Sequence, residues 1–327
     1  MSVTIKDIAQ VVGVSYSTVA KALNNSPLVK DDTKQRVWLA AKQLGYQPNL
    51  AAKSLVSKKT KVIGVVWPTV ERAALSALVT QLKDAFAARG YELLISIHTI
   101  REAITLFEQL QVDGIIVFEE AAEVAMHREE SIRSNTPLVC IGEHAQQVIA
   151  PCISVNRKQA IELAVDKLAE KGRKRLLYIG DLSHPSGLQH EKYVGFLEGV
   201  IKHQLPTHPQ FTVDTKGLTW QAGYTAAKSM LHSDYKPDGI IIGSYELTAG
   251  ALRAIQESEL CYPKDVSIIG YDNIEHMQHL EVPLSAVGVP LDKQAEQIAN
   301  TLLALMDNPD SVPDITTLTA EYVEREY

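Results

Sequence analysis

The sequence predicts an α/β protein in two parts, a small helical N-terminal module followed by a core of two similar parallel-sheet α/β subdomains. Three observations carry this. At 327 residues and 46% hydrophobic content, the chain is long enough to divide into several domains. The first sixty residues carry apolar stripes of helical period. From Lys61 onward, short apolar runs of strand length alternate with helical stretches, and the series restarts after Ile153-Ser154-Val155.

Thr4-Ile5-Lys6-Asp7 reads as the start of the first helix, with Thr4 as a side-chain cap and an acid in the first turn. Ile5, Ile8, Ala9 and Val12 recur at i, i+3, i+4 and i+7, and Gly13 supplies the flexible corner of a short turn. Ser15 caps a second helix from Tyr16 to about Asn24. There Val19, Ala22 and Leu23 face inward, and Tyr16, Ser17, Ala20 and Lys21 share the opposite face. A third helix runs from about Asp32 to Leu44 with Val37, Ala40, Ala41 and Leu44 inward, Asp31 and Asp32 at the positive end of its dipole, and Gly45 as its stop. This is a helix-turn-helix pattern whose second helix presents polar side chains to base edges. Any small three-helix unit shows similar stripes, so charge has to weigh in.

Residues 1–61 hold ten Lys or Arg against three Asp, a net +7, while the remainder carries 22 basic and 36 acidic residues, a net −14. Only the first segment is built to approach phosphates; a solvated basic face is the bland alternative. After it, Pro48 fixes an entry, Asn49 can cap, and the run to Val56 is long enough for two helical turns, too short to stand alone. Such a segment is expected to fold only against a partner.

In the core, Val62–Trp67, Leu93–Ile97, Gly114–Phe118 and Leu138–Ile141 have strand character, with Leu75, Leu78, Val79, Leu82 and Phe86 on an intervening helix closed by Arg89-Gly90. The second series has a helix ending at Lys171-Gly172, then Leu176–Ile179, Gly239–Ile242 and Val266–Tyr271. The expected boundaries are 1–45 for the headpiece and 46–60 for a hinge. The N-subdomain takes 61–160 and 291–320, and the C-subdomain 161–290 and 321–327. Ligands of such sheets bind beyond the carboxyl ends of the strands, here the cleft between subdomains.

Cys140, Cys152 and Cys261 lack His or Cys neighbours at metal-ligand intervals and read as reduced core residues. The sequence has no Gly-rich phosphate loop, nucleophile elbow or clustered metal ligands, so neither an enzyme nor a cofactor is expected. His184 and His190, near Asp181, read as scattered loop histidines. Long apolar spans and a leader-like N-terminus are also absent, so the expected location is the cytoplasm, with no membrane partner.

The chain resembles the lac repressor and galactose repressor (LacI/GalR) family of bacterial transcription regulators. The resemblance rests on Thr4-Ile5-Lys6-Asp7-Ile8-Ala9, Gly13-Val14-Ser15-Tyr16-Ser17-Thr18-Val19, Leu44-Gly45-Tyr46, Pro48-Asn49 and Ala52-Lys53-Ser54-Leu55. In the core it continues through Val112-Asp113-Gly114-Ile115-Ile116, Gly195-Phe196, Pro237-Asp238-Gly239-Ile240 and Pro263-Lys264-Asp265-Val266-Ser267-Ile268-Ile269-Gly270-Tyr271-Asp272. It implies a helix-turn-helix headpiece on a periplasmic-binding-protein-like core. It also implies a homodimer on palindromic double-stranded operator DNA.

 

In that family repression is the usual mode, and the resemblance assigns Tyr16 and Ser17 to major-groove base edges, with Lys21 where an Arg is usual. Leu55 matches a hinge leucine that wedges into the minor groove. Thr4, Ser15, Thr18, Asn24, Asn49 and Lys53 stand at phosphate-contacting or capping positions. The effector site departs from the pattern: Lys192 replaces an Arg three residues before Gly195-Phe196, Ser244-Tyr245 replaces Asn-Asp, and Gly142-Glu143 replaces Asp-Arg, while Asp272 is retained. Two readings follow. In one, the cleft binds a small-molecule effector (a sugar, sugar acid or related metabolite) through Glu143, Lys192, Tyr245 and Asp272, with Trp67 or Trp220 as stacking surfaces or as core residues. In the other, the cleft is not a sensor. A sugar-binding receptor shares the core, but has no use for a basic headpiece.

Overall fold

The computed structural model describes residues 3–46, 59–119, 133–142, 149–183, 187–308 and 314–325. The chain forms two compact units, 1–60 and 61–327.

In the first unit, α1 (Ile5–Val12), α2 (Tyr16–Leu23) and α3 (Asp31–Leu44) close their apolar stripes on one core. Ile8, Val19, Ala22 and Val37 are fully buried there, with Leu23, Leu44 and Tyr46 packed around them. Gly13 adopts a left-handed φ of 73° and returns its N–H to the Ala9 carbonyl, which stops α1 and frees the chain to turn into α2. Arg36 Nη2 donates to the Val12 carbonyl at 2.8 Å. That guanidinium, one of the ten basic residues counted in the sequence, fastens the end of α1 to α3.

The second unit holds two six-stranded sheets among the described residues. In chain order the first lobe contributes β1 (Val62–Val66), α4 (Ala73–Ala87), β2 (Glu92–Ser96), α5 (Ile100–Gln109), β3 (Gly114–Glu119), β4 (Leu138–Gly142) and β5 (Cys152–Val155). The second contributes α6 (Arg157–Glu170), β6 (Leu176–Gly180), α7 (Leu188–Lys202), β7 (Thr212–Asp214), α8 (Trp220–His232), β8 (Gly239–Ile242), α9 (Tyr245–Gln256), β9 (Ser267–Tyr271) and β10 (Ser285–Gly288). The chain then crosses back through α10 (Leu291–Asp307) and β11 (Ile315–Leu318), and ends in β12 (Glu321–Val323). The sheet orders are β11-β5-β4-β3-β1-β2 and β12-β10-β9-β8-β6-β7. Every pairing is parallel except β10 with β12.

The central strands are buried on both faces, as their unbroken apolar runs require; Gly114–Glu119 and Leu176–Gly180 are buried throughout. Helices pair across the faces. Gly250 lets α9 approach α8 so closely that a Cβ there would collide with the Trp220 carbonyl. The antiparallel β12 departs from the all-parallel expectation. It follows β11 of the first sheet after two residues and joins the edge of the second sheet beside β10.

Candidate nucleic-acid interface and inter-lobe cavity

The exposed face of α2 starts at its cap. Ser15 Oγ accepts the Thr18 N–H at 3.1 Å and lies 2.9 Å from Ser17 Oγ and 2.8 Å from Thr18 Oγ1, so three hydroxyls gather at one helix N-terminus. Tyr16 projects beside them, 55% exposed, and Ser17, Lys21 and Asn24 are exposed on the same short helix and its end. Thr4 caps α1: its N–H and hydroxyl both donate to Asp7 Oδ2, at 2.7 and 2.8 Å, and these bonds hold the Asp7 carboxyl below its usual range. Asn49, Lys53 and Leu55 lie outside the described residues, as does Glu143.

In the core, a cavity of about 80 Å³ opens where strands of both sheets end: Phe118 (β3), Val155 (β5), Tyr271 (β9) and Gly288 (β10) all line it. That is room for on the order of six waters. First-turn residues of four helices complete the wall: Ala74 (α4), Arg157 (α6), Gln189 (α7) and Leu291 (α10).

Lys192 and Asp272 meet at this cavity. Lys192 is 2% exposed; its Nζ donates to the Gly243 carbonyl at 2.7 Å and stands 3.7 Å from the centre of the Tyr271 ring. Burial pushes the Tyr271 phenol up to about 12. Asp272 sits at a left-handed φ of 85°, and its Oδ2 accepts the Tyr245 N–H at 3.0 Å. Tyr245 therefore serves this site through its backbone, while its ring packs edge-on to His276.

Both tryptophans are elsewhere. Trp67 is 1% exposed in the first lobe's core, edge-on to Phe118 at 5.1 Å, because the end of β1 turns it inward. It stands behind the cavity wall rather than in it. Trp220 is 44% exposed and stacked on Tyr224 one helical turn along α8. Neither is a stacking platform for a ligand in this cavity.

Sequence reasoning missed Arg72, Arg157, Gln189, Asn273 and Gln294, all of which line the cavity. Their signal was positional: each follows a strand or opens a helix on the carboxyl side of a sheet. Reasoning from the sequence also missed a contact between lobes. Glu246, in the first turn of α9, accepts the N–H of Ala73, the first residue of α4, at 2.7 Å.

Comparison with known proteins finds two family models in the chain. Residues 4–49 match the model of the bacterial regulatory proteins of the lacI family, and residues 165–326 match that of a periplasmic binding protein-like domain. The chain is 30% identical to catabolite control protein A of Priestia megaterium over 298 residues, 89% of each chain. It is 27% identical to the probable HTH-type transcriptional repressor ExuR of Bacillus subtilis (strain 168), over 99% of this chain and 98% of that one. Among solved structures, the lac repressor dimer bound to operator and the anti-inducer ONPF superposes with a TM-score of 0.80 at 24% identity, covering 99% of this chain and 98% of that one. The chain belongs to the lacI family of bacterial regulatory proteins, and is a DNA-binding transcription regulator with a periplasmic-binding-protein-like core.

Proposed function

We propose that the protein represses transcription in the cytoplasm as a homodimer on a palindromic operator, and that a small polar metabolite between the lobes sets its operator affinity. The observation that carries the DNA reading is the face of α2, where exposed Tyr16, Ser17 and Lys21 stand on a helix packed from behind by Val19 and Ala22. Thr4, Ser15, Thr18, Asn24 and Asn49 then hold phosphates or cap helices, Lys53 adds a DNA contact from the hinge, and Leu55 wedges into the minor groove at the centre of the operator. Dimerisation is supported by the edge strand β2, where Leu94 and Ile95 are 40% and 41% exposed and Ile97 just beyond is 64% exposed. The metabolite is held by Lys192 and Asp272, with Tyr245 fixing the Asp272 carboxylate; Glu143, the other contact expected from the sequence, lies outside the described residues.

Coupling works through differential affinity: a ligand that prefers one angle between the lobes shifts the population in which two hinges can fold on DNA together. The test is selection of bound sequences from a random duplex pool, followed by anisotropy titration of the winner. The expected product is a palindrome bound with a steep loss of affinity as salt rises. Tyr16→Ala should cost about 1–3 kcal/mol on that site, with little effect on random duplex. Recovery of no palindrome would overturn the reading.

A further inference from the structure

The walls of the inter-lobe cavity bear on which class of metabolite it accepts. Among the described residues, its lining includes three cationic side chains, Arg72, Arg157 and Lys192, against one carboxylate, Asp272. Arg157 and Lys192 are 7% and 2% exposed, so their charges are built into the fold. The nearby acids already have partners. Asp272 takes the Tyr245 N–H, Glu246 takes the Ala73 N–H, and Glu191 Oε2, 3.7 Å from Arg157 Nη1, offsets part of that guanidinium's charge, so that with Glu191 counted there are still three cations against two carboxylates.

The backbone adds to the same sign. Four helices begin at this cavity, and the positive ends of their dipoles converge on it. Two of them, α7 and α10, follow Gly187 and Pro290, neither of which has a side chain able to cap a first-turn amide. Gln189, in the first turn of α7, has a buried side-chain oxygen with no hydrogen-bond partner among the described residues. An unsatisfied buried amide is costly, and a ligand hydroxyl would relieve it.

We propose that the cavity takes a small hydroxylated acid, its carboxylate or phosphate held by Arg72, Arg157 and the helix N-termini, and a hydroxyl bonded to Gln189. This rests on the proposal that the cleft is an effector site and specifies its ligand. A guanidinium presents two parallel donors to such an anion, which a neutral sugar cannot match.

The test is calorimetric titration of the full chain with D-glycerate and D-gluconate for the carboxylate, glycerol 3-phosphate and glucose 6-phosphate for the phosphate, and glycerol and D-glucose as neutral counterparts. At least one acid should bind, with its neutral counterpart at least about tenfold weaker. Arg72→Gln and Arg157→Gln should each weaken that acid about ten- to a hundredfold, with circular dichroism confirming that each variant is folded. Equal or tighter binding of a neutral counterpart, no binding of any of the four acids, or indifference to both substitutions would overturn the proposal. Operator affinity measured on the same samples keeps the two readings apart. Intact operator binding that responds to D-glucose alone sinks the acid and leaves the effector site standing.

Discussion

Glu246→Ala should loosen the closed arrangement of the two lobes. The wild-type carboxylate reaches from α9 in the second lobe to the first amide of α4 in the first, at 2.7 Å. A charge-assisted bond of this kind contributes about 1.5–3 kcal/mol. Against that stands Glu246 Oε2, buried with no partner among the described residues, at a cost of about 1–3 kcal/mol. The difference leaves a latch of about 1 kcal/mol, so its removal should raise the open population about fivefold. Apolar contacts beside it, from Ala73, Ala74 and Tyr245 to the cluster around Ile274 and Met277, remain in the variant and keep the fold intact. Hydrogen exchange reads the effect directly, because the Ala73 amide is protected only while the carboxylate covers it. Its exchange should quicken about fivefold or more in Glu246→Ala, and small-angle scattering should report a larger radius of gyration. Identical exchange at Ala73 in the two proteins would refute the latch.

Three further outcomes are expected. Val37→Ala removes two methyl groups from the fully buried centre of the helical module, at about 2 kcal/mol; calorimetry should find the headpiece transition lowered and the core transition unmoved. Trp67→Phe keeps the ring beside Phe118 and deletes a buried indole N–H that has no acceptor among the described residues. Loss of that penalty and of some packing should nearly cancel, leaving stability within about 1 kcal/mol, and a loss above about 3 kcal/mol would mean that the N–H has a partner. Glu257 is held at about 2, below its ordinary 4.5, by bonds from Tyr224, Arg253 and Lys228. A depressed carboxylate stabilises above its unfolded pKa, so the urea-midpoint advantage of wild type over Glu257→Gln should be full at pH 6 and fade between about pH 4.5 and pH 2.

The helical module was legible almost residue by residue, because Thr4, Gly13, Ser15 and Gly45 are local signals that no distant contact overrides. The central strands were legible because burial on both faces demands continuous apolar runs. β7, β11 and β12 were not, since Thr212–Asp214, Ile315–Leu318 and Glu321–Val323 are short edge strands with exposed or half-exposed residues and no apolar run. β10 was missed for another reason: Ser285-Ala286-Val287-Gly288 is fully buried, yet its small residues resemble a loop. At the site, Lys192 and Asp272 were found through neighbouring motifs, whereas Arg72 and Arg157 needed the topology that brings α4 and α6 to one cavity. The misplaced tryptophans show the limit of residue type as a guide, because an aromatic ring serves a core and a ligand equally well until its neighbours are known.

The placement of the cations joins ligand charge to lobe closure. Arg72 precedes α4 in the first lobe, whereas Arg157 and Lys192 belong to helices of the second. An anion between them gains both sets of donors only when the lobes are closed, so the free energy that selects an acid is the same free energy that closes the cleft. Lys192 is tied to its own lobe by the Gly243 carbonyl and the Tyr271 ring, and so adds affinity without bridging. Bridging falls to Arg72, next to the α4 amide that Glu246 covers. Without ligand, the protein's own carboxylate supplies the negative charge at that helix start. A bound acid ties the lobes through a different group, the Arg72 guanidinium, and closes the core to the extent that this gain exceeds its repulsion from Glu246.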